Sequence, residues 1–241
     1  MIPLAKRNMK IFFRSKTALP FSILVVVIIL AIYVFFLGDA MAEDLGNIEG
    51  IDTFLDNWLM AGLLTVVSVT STLGAFGIMV EDRNEKILKD FMSSPLSNMS
   101  LLGGYIFSAF IIGLIVTITA FVMAEAYIVV SGGTLLTADR IIQVLGIILL
   151  SVSASSSMMF FIASQLEHHH TFSIVNTNVG TLIGFLAGIY LPIGRLPDGI
   201  QFLIKVFPMS HSGVLFRQIM TEESLEQVFE GLPPERFNRD L

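Results

Sequence analysis

Five long apolar runs alternate with short polar segments along the chain. They cover residues 18–37, 58–80, 101–130, 141–163 and 172–191. Each has about 20 residues or more, enough for a helix to cross roughly 30 Å of hydrocarbon. Uninterrupted stretches such as 23–32 lack the alternation of a barrel strand. The pattern therefore predicts an all-α, polytopic membrane helix bundle forming a single domain, in which the long third run tilts or continues past the membrane.

The composition supports a membrane protein. Hydrophobic residues make up 54% of the chain and charged residues 14%, against about 25% charged residues in soluble domains. The mean hydropathy is +0.79. There is no cysteine, which excludes disulfides, thiolate catalysis and cysteine-based metal sites.

The distribution of lysine and arginine predicts the orientation of the spans. Five basic residues precede the first run, none lies between the first and second runs, and three lie between the second and third. By the positive-inside rule, the N-terminus and segment 81–95 lie in the cytosol, and the acidic loop after the first span lies outside. Arg140 is a single basic exception on the outer side.

The N-terminal segment 1–16 predicts an amphipathic helix in the inner membrane interface. Lys6, Arg7, Lys10 and Arg14 share one face, where each would gain about 1 kcal/mol near anionic headgroups. The alternative is a simple basic anchor for the first span. A signal peptide ending at Ala40-Met41-Ala42 fits less well, because its apolar core would exceed the usual 7–15 residues or so.

The charged segment 81–95 predicts a second amphipathic helix, at the cytosolic surface. Its apolar residues fall on one face of an ideal helix and its charges on the other. The apolar residues are Ile87, Leu88, Phe91 and Met92. Asp82 with Lys86 and Glu85 with Lys89 form acid-before-base pairs at i,i+4, worth roughly 0.2–0.5 kcal/mol each. The apolar face needs a surface, either lipid or a partner protein.

Polar residues inside the second and fifth runs are candidates for a substrate route, since such residues usually face a bundle interior or a cavity. The candidates are Thr65, Ser68 and Thr72 in span 2, and Asn176, Thr177, Asn178 and Thr181 in span 5. Close helix packing is the alternative for the hydroxyl residues. We favour packing for the serines of span 4, and for the ladder of Gly180, Gly184 and Gly188, which could also form a dimer seam.

Two further features have less specific interpretations. Glu125 is expected near the outer interface, where its carboxylate would reach water; a proton relay is the alternative. His168-His169-His170 beside Glu167 suits an interfacial turn better than a metal site, because successive helical residues point in different directions. Neither a protease motif nor a phosphate-binding loop of the Gly-x-x-x-x-Gly-Lys-Ser/Thr type is present.

In this layout the chain resembles permease subunits of the type-two export family of ABC transporters (ABC-2 type). The shared features are the basic N-terminal helix, the charged segment ending in Ser-Ser-Pro-Leu-Ser (93–97), a very short second cytosolic loop, and the patterned stretch 190–211 after span 5. The chain departs from the family in two respects: no sixth apolar run follows Met220, and Asn84-Glu85-Lys86 stands where members often have a Gly-Thr pair.

The resemblance implies a multi-pass permease in the plasma membrane, of the bacterial type, with a sixth span expected beyond Leu241 and an outer segment (192–241) whose short helices dip between spans 5 and 6. ATP and magnesium would be bound by a partner ATPase subunit, and no cofactor by this chain. A second permease copy or a homologue would complete the pore, with spans 2 and 5 facing it. Membrane lipid, but no nucleic acid, is an expected partner.

The segment 81–95 would then be the coupling helix that docks on the ATPase. The implied docking residues are Arg83, Lys86, Ile87, Leu88, Lys89, Phe91 and Met92. The substrate would be a drug, an antibiotic or peptide, or a lipid-like molecule, moved outward by alternating access. The alternative from another class is a non-transporting immunity or sensor protein that binds a peptide through its outer loops.

Overall fold

The computed structural model describes residues 1–15, 18–33, 50–93, 97–188 and 197–230, which form nine helices and no strand. The helices are α1 (Ile2–Arg14), α2 (Ala18–Ile32), α3 (Ile51–Asn84), α4 (Ile87–Ser93), α5 (Asn98–Val130), α6 (Ala138–Ser164), α7 (His169–Leu186), α8 (Asp198–Val206) and α9 (Pro208–Glu230). The predicted all-α class is confirmed.

Three of the described helices, α3, α5 and α6, are long and apolar enough to cross a membrane. They contain the predicted spans 58–80, 101–130 and 141–163. The first and fifth predicted spans coincide with α2 and α7, which are helical but shorter or more polar in the described residues, so their crossing stays a prediction. Positions 34–37 and 189–191 of those spans, and Ala40-Met41-Ala42, lie outside the described residues.

Helix α3 is the axis of the bundle. It has 34 residues, about 51 Å of helix, and packs against α5, α6, α7 and α9, with smaller contacts to α1, α2 and α4. Met60, Leu63, Leu64 and Leu73 in its middle are completely buried. Because α3 contacts seven other helices of the described residues, its side chains must fit several interfaces at once.

Helix α9 lies within the segment 192–241, whose placement on the outer side stays a prediction. It has 23 residues, and its first turn reaches into the bundle, where the Ser155 hydroxyl lies 3.1 Å from Met209 Sδ. Its far end meets the start of α3, where the Asn57 amide donates to Ser224 Oγ at 3.4 Å. The helix thus runs from the interior toward the predicted outer side. Its buried polar residues explain why no apolar run marks it. Arg217 donates to the Ala187 carbonyl, and Ser224 accepts from Asn57.

The predicted continuous helix over 81–95 is wrong, because the segment is divided. Helix α3 continues to Asn84, and a turn at Glu85 and Lys86 separates it from the seven-residue α4. Lys86 has φ 65°, a left-handed conformation that interrupts a helix. Asp82 and Lys86 therefore do not lie four residues apart on one continuous helix, and Asp82 binds Arg7 instead. Positions 94–96 lie outside the described residues.

A stability difference between two glycine variants tests the packing of α5 on α3. A Cβ added at Gly113 would lie 2.5 Å from Thr72 Cγ2 and 3.1 Å from Val152 Cγ1, whereas one at Gly146 in α6 would meet nothing within 4 Å. We expect Gly113→Ala to lower stability by about 1–3 kcal/mol through overpacking, and Gly146→Ala to be neutral or stabilising by up to about 1 kcal/mol. Thermal unfolding of both variants in the same detergent measures this, and equal midpoints would contradict the packing.

Candidate functional site

The last turn of α3 holds three other parts of the chain through three successive residues. Glu81 Oε2 lies 2.5 Å from His169 Nδ1 in the first turn of α7. Asp82 accepts from Arg7 of α1. Arg83 donates to the end of α6. We call Glu81-Asp82-Arg83 the α3 clasp. A displacement of this turn would therefore act on α1, α6 and α7 together.

The central contact of the α3 clasp is a bidentate ion pair. The Arg7 guanidinium donates to Asp82 Oδ2 at 2.5 Å and to Oδ1 at 2.9 Å, and the Tyr105 hydroxyl donates to Oδ2 at 2.6 Å. Asp82 is only 3% exposed. The hydrogen bond to Asp82 raises the pKa of Arg7, against the lowering effect of burial. Next to it, the Asn8 amide donates to Ser108 Oγ at 3.2 Å.

The ion pair changes the interpretation of α1. Arg7 was expected to face lipid headgroups together with the other basic residues of 1–16, but it points into the bundle. Lys6, Lys10 and Arg14 remain exposed. Leu4 packs closely on α5: a Cβ at Gly104 would lie 2.8 Å from Leu4 Cδ2. Helix α1 is therefore attached to the predicted cytosolic ends of α3 and α5.

Arg83, expected on a docking surface, is engaged within the chain. Its Nη1 donates to the backbone oxygen of Ser164 at 2.8 Å and to that of Leu166 at 2.9 Å. Ser164 is the last residue of α6, where backbone acceptors have no partner within the helix and the helix dipole is negative. Leu166 lies just beyond the helix. Arg83 therefore joins α3 to the short connection between α6 and α7.

The other expected docking residues divide into two groups. Lys86 and Lys89 are exposed, and Ile87 is half-buried. Leu88 and Phe91 are also half-buried, but they pack on the core of this chain, and the Arg7 guanidinium lies 5.6 Å from the Phe91 ring centroid. The structure does not describe the side chain of Met92. The exposed surface of α4 and the turn before it therefore carries charges of both signs, since Glu85 and Asp90 are exposed as well.

A cavity of about 1170 Å³ runs between α1, α2, α3 and α7. Helix α2 contributes Ile28, Ile29 and Ile32, and α3 contributes Thr70, Gly74, Gly77 and Ile78. A polar stripe comes from α7, namely Ser173, Asn176, Thr177 and Thr181. The hydroxyls of this stripe bond to carbonyls of their own helix. A space of this size suits a molecule rather than an ion.

The structure separates the predicted route residues. Asn176, Thr177 and Thr181 line the cavity, whereas Asn178 is exposed elsewhere on α7. Thr65, Ser68 and Thr72 have 0% exposure and lie on another face of α3.

The buried face of α3 is a packing surface. Ser68 Oγ is 2.8 Å from Ser151 Oγ of α6, and the Thr72 hydroxyl donates to the Ser68 carbonyl at 2.9 Å. The face of α3 that does line the cavity carries Thr70, Gly74 and Gly77, and sequence reasoning missed it. Its signal was the small residues at helical spacing, which look the same in packing and in a cavity wall.

The span 4 serines fit packing in part. Ser151, Ser155 and Ser156 are buried, while Ser153 and Ser157 are exposed and bond to their own helix. In α7, a Cβ added at Gly180 would lie 4.0 Å from Thr70 Cγ2, and Gly184 is buried. These two glycines therefore serve contact within the protomer, and Gly188, with φ 65°, follows the end of the helix.

Glu125 does not reach water as expected. It is 6% exposed, and its Oε2 accepts from the Leu136 amide at 3.3 Å. The histidines behave as a helix start, with His168 in the N-cap position of α7 and His169 bound to Glu81. Across the described ranges no group of three or more His, Cys, Asp or Glu residues could hold a metal ion.

Comparison with known proteins identifies the family. Neither a curated protein nor a solved structure matches the chain significantly. The family model for ABC-2 type transporters matches residues 2–221. That match takes in the N-terminal helix, the α3 clasp, the cavity and most of α9. The chain therefore belongs to the ABC-2 type transporter family, as a membrane permease domain without ATPase activity of its own.

Proposed function

We propose that the chain is the membrane subunit of an ATP-driven exporter that moves a drug, an antibiotic or peptide, or a lipid-like substrate outward. The observation that carries the proposal is the cavity beside α3, whose predicted cytosolic end is lined by Glu81 and Asp82 of the α3 clasp. The same turn that lines the space for a substrate is thus continuous with the surface that would meet an ATPase. ABC-2 permeases work with ATPase subunits.

The docking surface in this proposal is the exposed part of α4. Lys86 and Lys89 supply charge at its rim, and Ile87 supplies a half-buried apolar contact. Leu88 and Phe91 act on the opposite side, where they connect α4 to the core. Arg83 serves as a positioning residue, since its guanidinium is already bound to the end of α6.

Movement of α4 has a contiguous path into the spans. Phe91 lies under Arg7, Arg7 binds Asp82, and the neighbouring Glu81 binds His169 of α7. A force from ATP-driven closure would therefore shift α1 and α7, two walls of the cavity, relative to α3. Alternating access by such a shift needs no contact between ATP and this chain.

A second permease copy, or a homologue, would complete the route. Within the described residues α7 packs mainly against α3, and Ile174 and Leu182 on its other side are 50% and 58% exposed. A partner permease facing α7 would cover this surface and close the open side of the cavity. The non-transporting immunity or sensor alternative gains nothing from the cavity, and membership of a transporter family counts against it.

Charge reversal on α4 tests the docking surface. The double variant Lys86→Glu with Lys89→Glu is expected to weaken binding to the cognate ATPase subunit by at least about tenfold, because each rim charge would repel where it attracted. Lys205→Glu, an exposed change in α8 on the predicted outer side, is the matched control. Co-purification and substrate-stimulated ATP hydrolysis measure the effect. Equal coupling in both variants would refute the assignment of α4.

Two asparagines two positions apart on α7 test the route. Asn176 lines the cavity, and Asn178 does not. We expect Asn176→Leu to lower export or change substrate selectivity by about three- to tenfold, since a lost polar contact is worth about 1 kcal/mol. Asn178→Leu should leave both unchanged. Export from reconstituted vesicles is the measurement, and indistinguishable variants would argue against the cavity as the route.

A further inference from the structure

The cavity changes chemical character along its length. Its interior is formed by apolar side chains of α2 and α3 and by uncharged polar groups of α7. Among the described lining residues the charged groups lie toward the predicted cytosolic end, and they are Arg7, Glu81, Asp82, Glu85 and His169. A molecule entering from that end would meet charge first and an uncharged space afterwards.

The charges at this mouth do not cancel. The described lining residues include three carboxylates against one guanidinium and one imidazole, so this part of the lining has a net negative charge. Arg7 is used by Asp82, and His169 faces Glu81. Glu85 is exposed on the turn after α3. Carboxylates at the rim of a low-dielectric space concentrate cations there and repel anions.

The dimensions of the cavity favour a long occupant. Its lining extends along α3 from Leu59 to Asp82, about 35 Å at helical rise. Its volume of about 1170 Å³ exceeds the roughly 300–1,000 Å³ usual for clefts that hold drug-sized ligands.

We infer that the cavity binds elongated organic cations, with the apolar body between Ile28, Ile32 and Ile78 and the positive head beside Glu85. This rests on the proposed function and names its substrate class. The α7 stripe would contribute uncharged polar contacts along the body, and an anionic amphiphile of the same length would be repelled at the mouth.

Three probes with the same rod-shaped body and different heads test the inference. They are diphenylhexatriene, which is neutral, its trimethylammonium derivative and its propionate derivative. The permease is placed in nanodiscs of zwitterionic lipid without any ATPase. Quenching of Trp58 fluorescence reports occupancy of the cavity. Trp58 is the single tryptophan of the chain and directly precedes the lining residue Leu59. Nanodiscs with free tryptophan serve as the control. The cationic probe should bind saturably and more tightly than the other two.

A matched pair of acidic residues assigns the selectivity. Glu85→Gln should weaken binding of the cationic probe about two- to fivefold, as expected for the loss of an exposed ion pair, and should leave the neutral probe unaffected. Asp90→Asn, an exposed change on α4 that does not line the cavity, should alter neither.

Equal or tighter binding of the neutral or anionic probe would overturn the inference, and so would equal effects of the two variants. Selective binding of the cation that never stimulates a reconstituted ATPase would leave the inference supported and would count against the proposed transport function.

Discussion

The ion pair between Arg7 and Asp82 is the interaction on which the arrangement of the predicted cytosolic side depends. Asp82 is almost fully buried and has two donors, Arg7 and Tyr105. Removing one partner of such a pair leaves a charge without its counter-charge, which in buried sites costs roughly 3–5 kcal/mol. The pair therefore holds α1 on the end of α3, and the residues on either side of Asp82 extend the same turn to α6 and α7.

Between this turn and the N-terminal end of α3, the bundle divides into a tightly packed part and a more open part. Helices α5, α6 and α9 approach α3 through glycine and hydroxyl residues, with contacts such as Ser68 to Ser151 at 2.8 Å. On the other side, α2 and α7 leave a cavity beside Thr70 and Gly74. Small residues let helices approach closely where both surfaces fit, and where no side chain fills the gap the same residues leave space. In the proposed mechanism the tightly packed side would be the frame against which α1 and α7 move.

Sequence reasoning recovered the elements whose signal is long and continuous. Runs 58–80, 101–130 and 141–163 lie within α3, α5 and α6 because about 20 apolar residues satisfy their backbone only as helix in lipid. It failed where the signal is short or mixed. The break at Lys86 has no proline or glycine to announce it, and α9 carries Arg217 and several hydroxyls inside the bundle, so neither hydropathy nor periodicity identifies it.

For the candidate site, spacing identified which residues share a helix face but not which neighbour that face meets. Thr65, Ser68 and Thr72 form a stripe that is buried against α9, α6 and α5. Asn176, Thr177 and Thr181 form one that lines a cavity. Docking of α4 and the identity of the substrate route stay predictions.

The amino-acid sequence by itself determined the helical class, the membrane character, the predicted orientation and the lack of an internal phosphate-binding loop. These follow from hydrophobic length, the placement of basic residues and local motifs, all of which are properties of neighbouring positions in the chain. Only the tertiary structure decided that Arg7 binds Asp82, that Arg83 binds the end of α6, and which polar stripe borders open space. Those outcomes depend on residues as many as 81–83 positions apart, and their meeting is set by how several helices pack at once.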